Sequence, residues 1–397
     1  MGDFSIKSEE LKDRILGCMV GGAVGDALGY PIEFKSWYDI EYDYGHRGIT
    51  RYKLTSNGKA LISDDTQMAL FTASGLLLGM TRGYTRGIMG RLDTYCEKTY
   101  QDWLKTQTLK ERPSEKDGYD YCHSWLMDVP ELYSRRAPGN TCLNAIEALT
   151  HGERDNNNSC GCGGVMRTAP IALISYTHGY LNGDIPQINM VAAEAARITH
   201  KHPLGFMPSA VLNNILMQIL AGNVNDGVRL AYYTQEAIND LPNIKSEEDR
   251  NRTYGELWPD DVQRLQNLIK KALDLAYTDH PDVNAIEHIG GGWTGHEALA
   301  IAIYSAVKHF DSFERAIVCS VNHSGDSDST GAICGNIMGC LKGRKAIPDY
   351  YTKNLEILDV IEEMATDLYT GCQISEYDDE DTPEKKKWYK KYVCMRR

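Results

Sequence analysis

The chain has 397 residues, of which 42% are hydrophobic and 24% are charged, and these proportions exclude a disordered protein. Its formal net charge is −13, from 42 basic and 55 acidic residues, which argues against a nucleic-acid partner and against binding to an anionic membrane. The 11 cysteines have no regular spacing, so we expect reduced thiols and a cytoplasmic protein.

Helical periodicity dominates the chain, and no stretch shows a convincing series of alternating strands. The predicted helices cover residues 8–29, 64–80, 188–200, 209–222, 261–277, 295–310 and 328–343. The first helix contains the apolar run 15–32, which carries Asp26 and is short for a membrane span, so we expect a buried helix and no membrane partner. The sequence therefore predicts an all-α protein with one domain over residues 1–397 and a core at 15–372, and the basic C-terminal stretch 384–397, which follows an acidic run, is expected to be a solvated tail.

Glycines recur every four residues in the first and the last of these predicted helices. They are Gly17, Gly21, Gly25 and Gly29 in the first helix, and Gly331, Gly335 and Gly339 in the last. Four-residue spacing places residues on nearly one face of a helix. Each glycine weakens its helix by roughly 1 kcal/mol relative to alanine, so a close approach between helices is expected to compensate. We predict that both helices lie in the crowded centre of the domain.

Carboxylates flanked by hydroxyl groups stand at two predicted helix starts. These two groups are Asp64 and Asp65 in "SDDT" and Asp326 and Asp328 in "GDSDST". A third acidic group, Asp26 and Glu33, lies in "GDALGYPIEF". Oxygen ligands of this kind suit Mg²⁺, and two facing pairs could hold two cations. The same residue types also cap helices, and Asp64 with Gln67 fits a capping box. Capping does not explain two acids at each site, and the two roles are compatible.

The loop at residues 156–170, "NNNSCGCGGVMRTAP", is rich in glycine. Successive glycines let backbone N–H groups converge on an anion, and Arg167 adds positive charge nearby. The loop matches neither a P-loop nor a dinucleotide-binding pattern. A phosphate-binding loop and an ordinary flexible loop that enters a helix both fit this stretch.

Two further stretches carry histidines beside predicted helix ends. His200 and His202 precede Pro203, where a histidine can simply interact with the helix dipole. The glycine-rich stretch "GGGWTGHEA", residues 290–298, fits a helix-entry loop in which Thr294 is the cap and Trp293 is packed.

Seven segments, taken in chain order, resemble the ADP-ribosylglycohydrolase family. They are "GCMVGGAVGDALGYPIEF", "SDDTQMAL", "RAPGNTCLNAI", "GCGGVMRTAPIAL", "ARITHKHP", "GGGWTGHEALAIAIY" and "GDSDSTGAICGNIMG", and they span residues 15 to about 340. The resemblance implies a compact orthogonal helix bundle with a binuclear metal centre, two Mg²⁺ or alternatively Mn²⁺, at the base of a cleft. Residues 239–260 and those after about 375 lie outside it.

The resemblance also implies roles for individual residues. The implied metal ligands are Ser63, Asp64, Asp65, Asp326, Asp328 and Ser329. The implied substrate-binding residues are Glu33 at the cleft edge, the phosphate loop Ser159, Gly161, Cys162, Gly163 and Gly164, His200 near the adenosine ribose, and Thr294, Gly295 and His296 along the cleft. Asp64, Asp65 and Glu33 are the catalytic candidates, and the sequence leaves open which of them moves a proton.

The implied activity is a hydrolase that removes ADP-ribose from modified protein side chains. "SDDT" and "GDSDST" look like the arginine-directed enzymes, which favours the N-glycosidic bond of ADP-ribosylarginine. The alternatives are an O-linked substrate, such as ADP-ribosylserine or a small conjugate, and a non-catalytic ADP-ribose binder resembling crystallins. The expected partner is an ADP-ribosylated protein or conjugate. The oligomeric state stays open, with a monomer favoured.

Overall fold

Helices make up the regular structure of the chain, seen in a computed structural model that describes residues 7–113, 122–179, 185–375 and 382–393. Within these ranges there are short 3-10 turns and isolated bridges but no strand. The α-helices are α1 Lys7–Gly29, α2 Trp37–Tyr44, α3 Asp64–Arg86, α4 Leu92–Thr108, α5 Asn140–Thr150, α6 Ala169–His178, α7 Ile185–Arg197, α8 Pro203–Leu220, α9 Gly227–Asp240, α10 Tyr254–Leu257, α11 Pro259–Ala276, α12 Asp282–Ile289, α13 Gly295–Lys308, α14 Phe313–Val321, α15 Ser327–Lys342, α16 Asp349–Thr352, α17 Leu358–Thr370 and α18 Pro383–Tyr392. The all-α prediction is confirmed.

The glycine-lined faces of α1 and α15 lie against each other, as predicted. A Cβ atom on Gly25 would overlap the carbonyl oxygen of Gly331, and one on Gly21 would overlap that of Gly335. Carbonyl oxygens thus occupy the space where larger residues would place side chains. Gly29, at the end of α1, contacts the start of α15 in the same way. The two helices are therefore antiparallel, and the residues that follow α1 meet the residues that open α15.

The contact between α1 and α15 predicts a large difference between two chemically identical substitutions. Gly25→Ala places a methyl group against backbone atoms, so we expect it to lower the free energy of unfolding by about 1–3 kcal/mol or more. Gly83→Ala, inside α3, meets only Met89 at ordinary van der Waals distance and should stabilise by about 0.5–1 kcal/mol. Thermal or urea denaturation of both variants measures the difference. Equal effects would contradict the packing.

Among the residues that the structure describes, two helices are long and apolar enough to cross a membrane by length and composition alone. The segments are Glu9–Ile32 and Pro203–Leu220, and 83% and 94% of their apolar windows are buried inside the fold. The prediction of a buried helix for the apolar run at residues 15–32 is therefore confirmed. The second segment, α8, overlaps the helix predicted at 209–222 and is a core helix of the same kind.

The C-terminal region is not a solvated tail throughout, which corrects the sequence-based prediction. Helix α18 packs on the fold: Trp388 is 3% exposed, and its indole N–H donates to the Thr81 hydroxyl at 2.9 Å. The Tyr392 hydroxyl donates to Asp367 at 2.7 Å. The many basic residues of this stretch indicated an exposed segment, so the packing of Trp388 and Tyr392 was not predicted. Residues 376–381 and 394–397 lie outside the described part of the chain.

Candidate active site

Asp64 and Asp65 are the first two residues of α3, and the preceding Ser63 is its N-cap. The Ser63 hydroxyl accepts the Asp65 backbone N–H at 3.2 Å. The predicted capping box of Asp64 and Gln67 is wrong, because the Gln67 side chain turns inward and donates to the Ser134 carbonyl at 3.0 Å. Since Ser63 provides the cap, neither carboxylate is needed for that purpose.

The side chain of Asp26, in α1, forms hydrogen bonds with the start of α3. Its fully buried carboxylate accepts the backbone N–H of Ser63 at 2.9 Å and that of Thr66 at 3.1 Å, and it also accepts the Thr66 hydroxyl. It thus satisfies N–H groups that the helix itself leaves unpaired. The hydrogen bonds of Asp26 to the start of α3 were not predicted from the sequence. A lone acid inside an apolar run was the available signal.

The opposite side of the site is the start of α15. Asp326 is the N-cap, and its carboxylate accepts the Ser329 N–H at 3.2 Å. Asp328 accepts the same N–H at 3.0 Å. The other oxygen of Asp326 accepts the Cys162 thiol at 2.8 Å, which joins the acidic group to the glycine-rich loop. Ser329 is buried beside Met166, with 3.8 Å between the hydroxyl and the sulfur.

Three carboxylates converge, two from the start of α15 and one, Glu33, from the segment that follows α1. Glu33, Asp326 and Asp328 each place an oxygen within 4.8 Å of the other two. Asp64 and Asp65 lie outside this group of three. Burial and then the charge of Asp328 raise the pKa of each of these two carboxyls well above its ordinary value. The structure therefore brings the two predicted aspartate pairs and Glu33 into one acidic pocket.

Two oxygens in this pocket are available to a ligand. Oε2 of Glu33 and Oδ2 of Asp65 are buried without any hydrogen-bond partner. Buried charges of one sign are unfavourable unless a cation compensates them. A set of carboxylates with nearby hydroxyls has the donor chemistry of a site for a hard divalent cation such as Mg²⁺. The residues present fit that cofactor.

The raised pKa values predict how pH changes the effect of a divalent cation on stability. Burial and then the charge of Asp328 raise the pKa of Asp26 to about 7 and that of Glu33 to about 10. A pKa above the unfolded value means that folding takes up protons, so this stabilisation is complete below about pH 4 and is lost as the pH rises through these values. Mg²⁺ needs the deprotonated carboxylates. We therefore expect Mg²⁺ to raise Tm more at about pH 8 than at about pH 5.

Thermal melts in chelator and in Mg²⁺ at both pH values measure this effect. The melting temperature in chelator should fall as the pH rises, and the Mg²⁺ increment should grow. An increment that is equal at both pH values, or larger in acid, would contradict the assignment of the carboxylates as cation ligands.

The glycine-rich loop is hydrogen-bonded to the segment that enters α13. Cys162 opens a 3-10 turn, and its N–H donates to the Trp293 carbonyl at 3.2 Å. The N–H of Gly295 donates to the Cys160 carbonyl at 2.8 Å. A Cβ atom on Gly163 would lie 2.8 Å from Cε1 of the His200 ring. The structure thus brings the predicted phosphate loop, His200 and the 294–296 segment together.

The Arg167 side chain, predicted to add positive charge near this loop, is held in the core and is not exposed to a ligand. It is fully buried and donates to the Thr199 hydroxyl at 2.6 Å and to the Ala195 carbonyl at 3.4 Å. Its guanidinium lies 4.6 Å from the centroid of the Tyr100 ring. Arg167 therefore holds the core behind the loop.

The histidines of the site are uncharged at neutral pH. Burial, followed by the charge of Arg167, lowers the pKa of His200 to about 3, and burial lowers that of His296 to about 4. Nδ1 of His296 and the hydroxyl of Thr294 are buried without partners. Thr294 is the N-cap residue of α13, as predicted, but its hydroxyl makes no capping hydrogen bond and is available to a ligand. His202 instead caps α8 by accepting the Leu204 N–H at 3.1 Å, a role that the sequence analysis missed.

An aromatic pair stands beside the acidic pocket. Phe34, which follows Glu33 and has φ +67°, is 69% exposed and stacks on Trp293 with 5.2 Å between ring centroids. Trp293 is 43% exposed, so the prediction of a packed side chain holds only for its face toward Phe34. Sequence reasoning did not find this pair, because its members are far apart in the chain.

Comparisons with known proteins agree with this geometry. A family model described as ADP-ribosylglycohydrolase matches residues 7–377. The ADP-ribosyl-[dinitrogen reductase] glycohydrolase of Rhodospirillum rubrum is 25% identical, with 87% of this chain and 91% of the relative covered. The ADP-ribosylhydrolase ARH1 of Dictyostelium discoideum is also 25% identical, with 90% and 94% covered.

A solved structure, of an ADP-ribosylglycohydrolase-related protein complex, shares the fold. It has a TM-score of 0.60 and 21% sequence identity, and the match covers 91% of this chain and 99% of that one. The family model spans nearly the whole sequence, and the fold agrees with it. The chain belongs to the ADP-ribosylglycohydrolase family.

Proposed function

We propose that this protein is a metal-dependent hydrolase that removes ADP-ribose from arginine side chains of proteins, with two Mg²⁺ or Mn²⁺ ions as its cofactor. The observation that carries the proposal is the acidic pocket with two partnerless buried oxygens, on Glu33 and Asp65. A protein that only bound ADP-ribose would not need to bury so many repelling carboxylates. Family membership supports the reaction class.

The proposed ligands of the two ions are those that the family resemblance names. They are Ser63, Asp64, Asp65, Asp326, Asp328 and Ser329. When bound, such ions supply Lewis acidity and orient the hydroxyl groups of a sugar. The protein's own contribution is to hold the two helix starts at a fixed separation, through the contact between α1 and α15 and through Asp26. Positioning of this kind supplies a large share of a rate enhancement.

The rest of the site suits the remainder of ADP-ribose. Backbone N–H groups around Gly161, Gly163 and Gly164 are proposed to bind the diphosphate, and the neutral His200 is proposed to lie beside the adenosine ribose. Thr294 and His296 contribute a hydroxyl and a ring nitrogen that have no partner within the protein. These groups can hold the substrate at one end while the other end reaches the carboxylates.

The proposed reaction breaks the bond between C1″ of the distal ribose and a guanidinium nitrogen. The oxygen of a water molecule bonds to C1″, one water proton is transferred to the departing nitrogen, and free ADP-ribose and arginine are released. Positive charge develops on the sugar during cleavage, and a nearby carboxylate stabilises that charge. Asp64, Asp65 and Glu33 are the candidates for this role and for moving the proton. Glu33 is partly exposed whereas Asp64 and Asp65 are buried, so Glu33 suits a position at the cleft edge.

Release of ADP-ribose from matched peptides tests the proposal. Peptides modified on arginine and on serine are incubated with the protein and Mg²⁺, and we expect at least about tenfold faster release from arginine. Faster release from serine would replace the N-linked substrate by an O-linked one. No release from either peptide, with ADP-ribose still raising Tm, would mean a non-catalytic binder.

The cytoplasm is the proposed location. Free thiols persist in that compartment, and the described residues include nine of them: Cys18, Cys96, Cys122, Cys142, Cys160, Cys162, Cys319, Cys334 and Cys340. Cys394 lies outside the described residues.

A further inference from the structure

A second group of metal-binding side chains lies outside the acidic pocket. Asp282 is the first residue of α12, His309 follows α13, and Cys319 is in α14. One ligand atom of each residue lies within 4.8 Å of the other two, and Nε2 of His309 is 2.8 Å from Oδ2 of Asp282. None of the three contributes to the group around Glu33. Three helices that are consecutive in sequence thus supply a carboxylate, an imidazole and a thiol to one point.

This point borders a cavity of about 480 Å³ that is separate from the carboxylates of the active site. Asp282, His309 and Cys319 all line this cavity, together with Trp37 and Arg315. Asp282 and His309 are partly exposed to it, and Cys319 is 6% exposed. A small solute can therefore reach the three ligand atoms from one side while protein closes the other.

Neighbouring groups already hold the three side chains in place. The Tyr304 hydroxyl donates to Oδ1 of Asp282 at 2.8 Å and leaves Oδ2 facing His309. The Ser305 hydroxyl donates to the sulfur of Cys319 at 3.4 Å. Hydrogen bonds from outside a metal site to its ligands commonly orient those ligands. The arrangement is thus preformed for a ligand shared by the three atoms.

The mixed oxygen, nitrogen and sulfur set selects the kind of metal. Mg²⁺ and Ca²⁺ prefer oxygen alone, whereas Zn²⁺ and Co²⁺ accept thiolate and imidazole together with a carboxylate. Three protein ligands with one open side are typical of a four-coordinate zinc site that keeps one position for water. We propose that Asp282, His309 and Cys319 bind one Zn²⁺ or Co²⁺, with the fourth position open to the cavity.

Binding at this site has a defined proton balance. The Cys319 thiol loses its proton to solvent and binds as the thiolate, because the thiolate is the form that ligates metals. Nε2 of His309 must carry no hydrogen to bind a metal, so a ring hydrogen on Nε2 is exchanged through solvent for one on Nδ1, and the ring releases no net proton. No change of oxidation state is involved.

Cobalt absorption spectroscopy tests the proposal on the full chain. Reduced, chelator-treated protein is first given excess Mg²⁺ to occupy the acidic pocket and is then titrated with Co²⁺. We expect a near-ultraviolet thiolate-to-cobalt band with one Co²⁺ per chain, displaced by Zn²⁺. Cys319→Ser should lose the band, whereas Cys162→Ser should keep it, since Cys162 contacts the acidic group at Asp326. Absence of the band in wild type, or its persistence in Cys319→Ser, would overturn the proposal.

Two further variants keep the test independent of folding. His309→Gln changes a partly exposed residue and should weaken Co²⁺ and Zn²⁺ binding by at least about tenfold. Cys334→Ala removes a neighbouring buried thiol that lies outside the group and should leave binding unchanged. Unchanged affinity in His309→Gln would also overturn the proposal. The readout needs no ADP-ribose, so its failure would not count against the proposed hydrolase.

Discussion

Asp328→Asn is expected to lower the rate of ADP-ribose release by roughly 10²–10³-fold or more while the protein stays folded. Asp328 converges with Glu33 and Asp326, and its charge also contributes to the raised pKa of Glu33, Asp64 and Asp65. Asparagine keeps the shape and the oxygen that accepts the Ser329 N–H, but it removes the charge that a cation requires.

Stability separates this effect from misfolding. In chelator, Asp328→Asn should raise Tm, since it removes one of several repelling buried charges, and Mg²⁺ should raise Tm less than it does in wild type. Asp359→Asn is the matched control: it also changes an aspartate in the first turn of a helix, α17, but an exposed one. Full turnover in Asp328→Asn, or an equal loss in Asp359→Asn, would be inconsistent with the proposed roles.

Gly163→Ala is expected to weaken ADP-ribose binding by at least about tenfold, equivalent to about 1.4 kcal/mol. The added methyl carbon would lie 2.8 Å from the His200 ring and 2.9 Å from the sulfur of Cys142, so the loop or the ring must move. Backbone N–H groups that bind a diphosphate tolerate little displacement. The carboxylates are untouched, so KM should change more than kcat.

Calorimetric titration with ADP-ribose, together with kcat and KM for the modified arginine peptide, checks this prediction. Gly90→Ala is the control, since its Cβ atom would meet only ordinary contacts at 3.7 Å. A fall in kcat with unchanged ADP-ribose affinity would show that the loop does not act in binding.

The helical class and the central helix pair could be predicted from sequence because both follow from local spacing. The repeat of Gly17, Gly21 and Gly25 indicates which face of α1 packs closely against another helix. Only the identity of that second helix had to be inferred. Which of two adjacent residues caps a helix could not be predicted. Ser63 and Asp64 are both good caps, and the sequence contains nothing that decides between them.

The active site was accessible mainly through resemblance to a family. Two acidic pairs about 260 residues apart carry no local information about their distance, and the structure brings them together through the contact between α1 and α15. Contacts between distant segments were missed for the same reason. The hydrogen bonds of Asp26 to the start of α3 and the stacking of Phe34 on Trp293 are examples. Trp388 was missed because its lysine-rich surroundings suggested solvent.

The most direct test of the proposed function is metal removal and readdition with wild-type protein. ADP-ribose released from a protein modified on arginine is measured in excess chelator, and then with Mg²⁺ added in increasing excess. We predict no release above the uncatalysed rate in chelator and full recovery with Mg²⁺, or with Mn²⁺ in its place. Release that proceeds at the same rate in chelator would contradict the metal-dependent hydrolase.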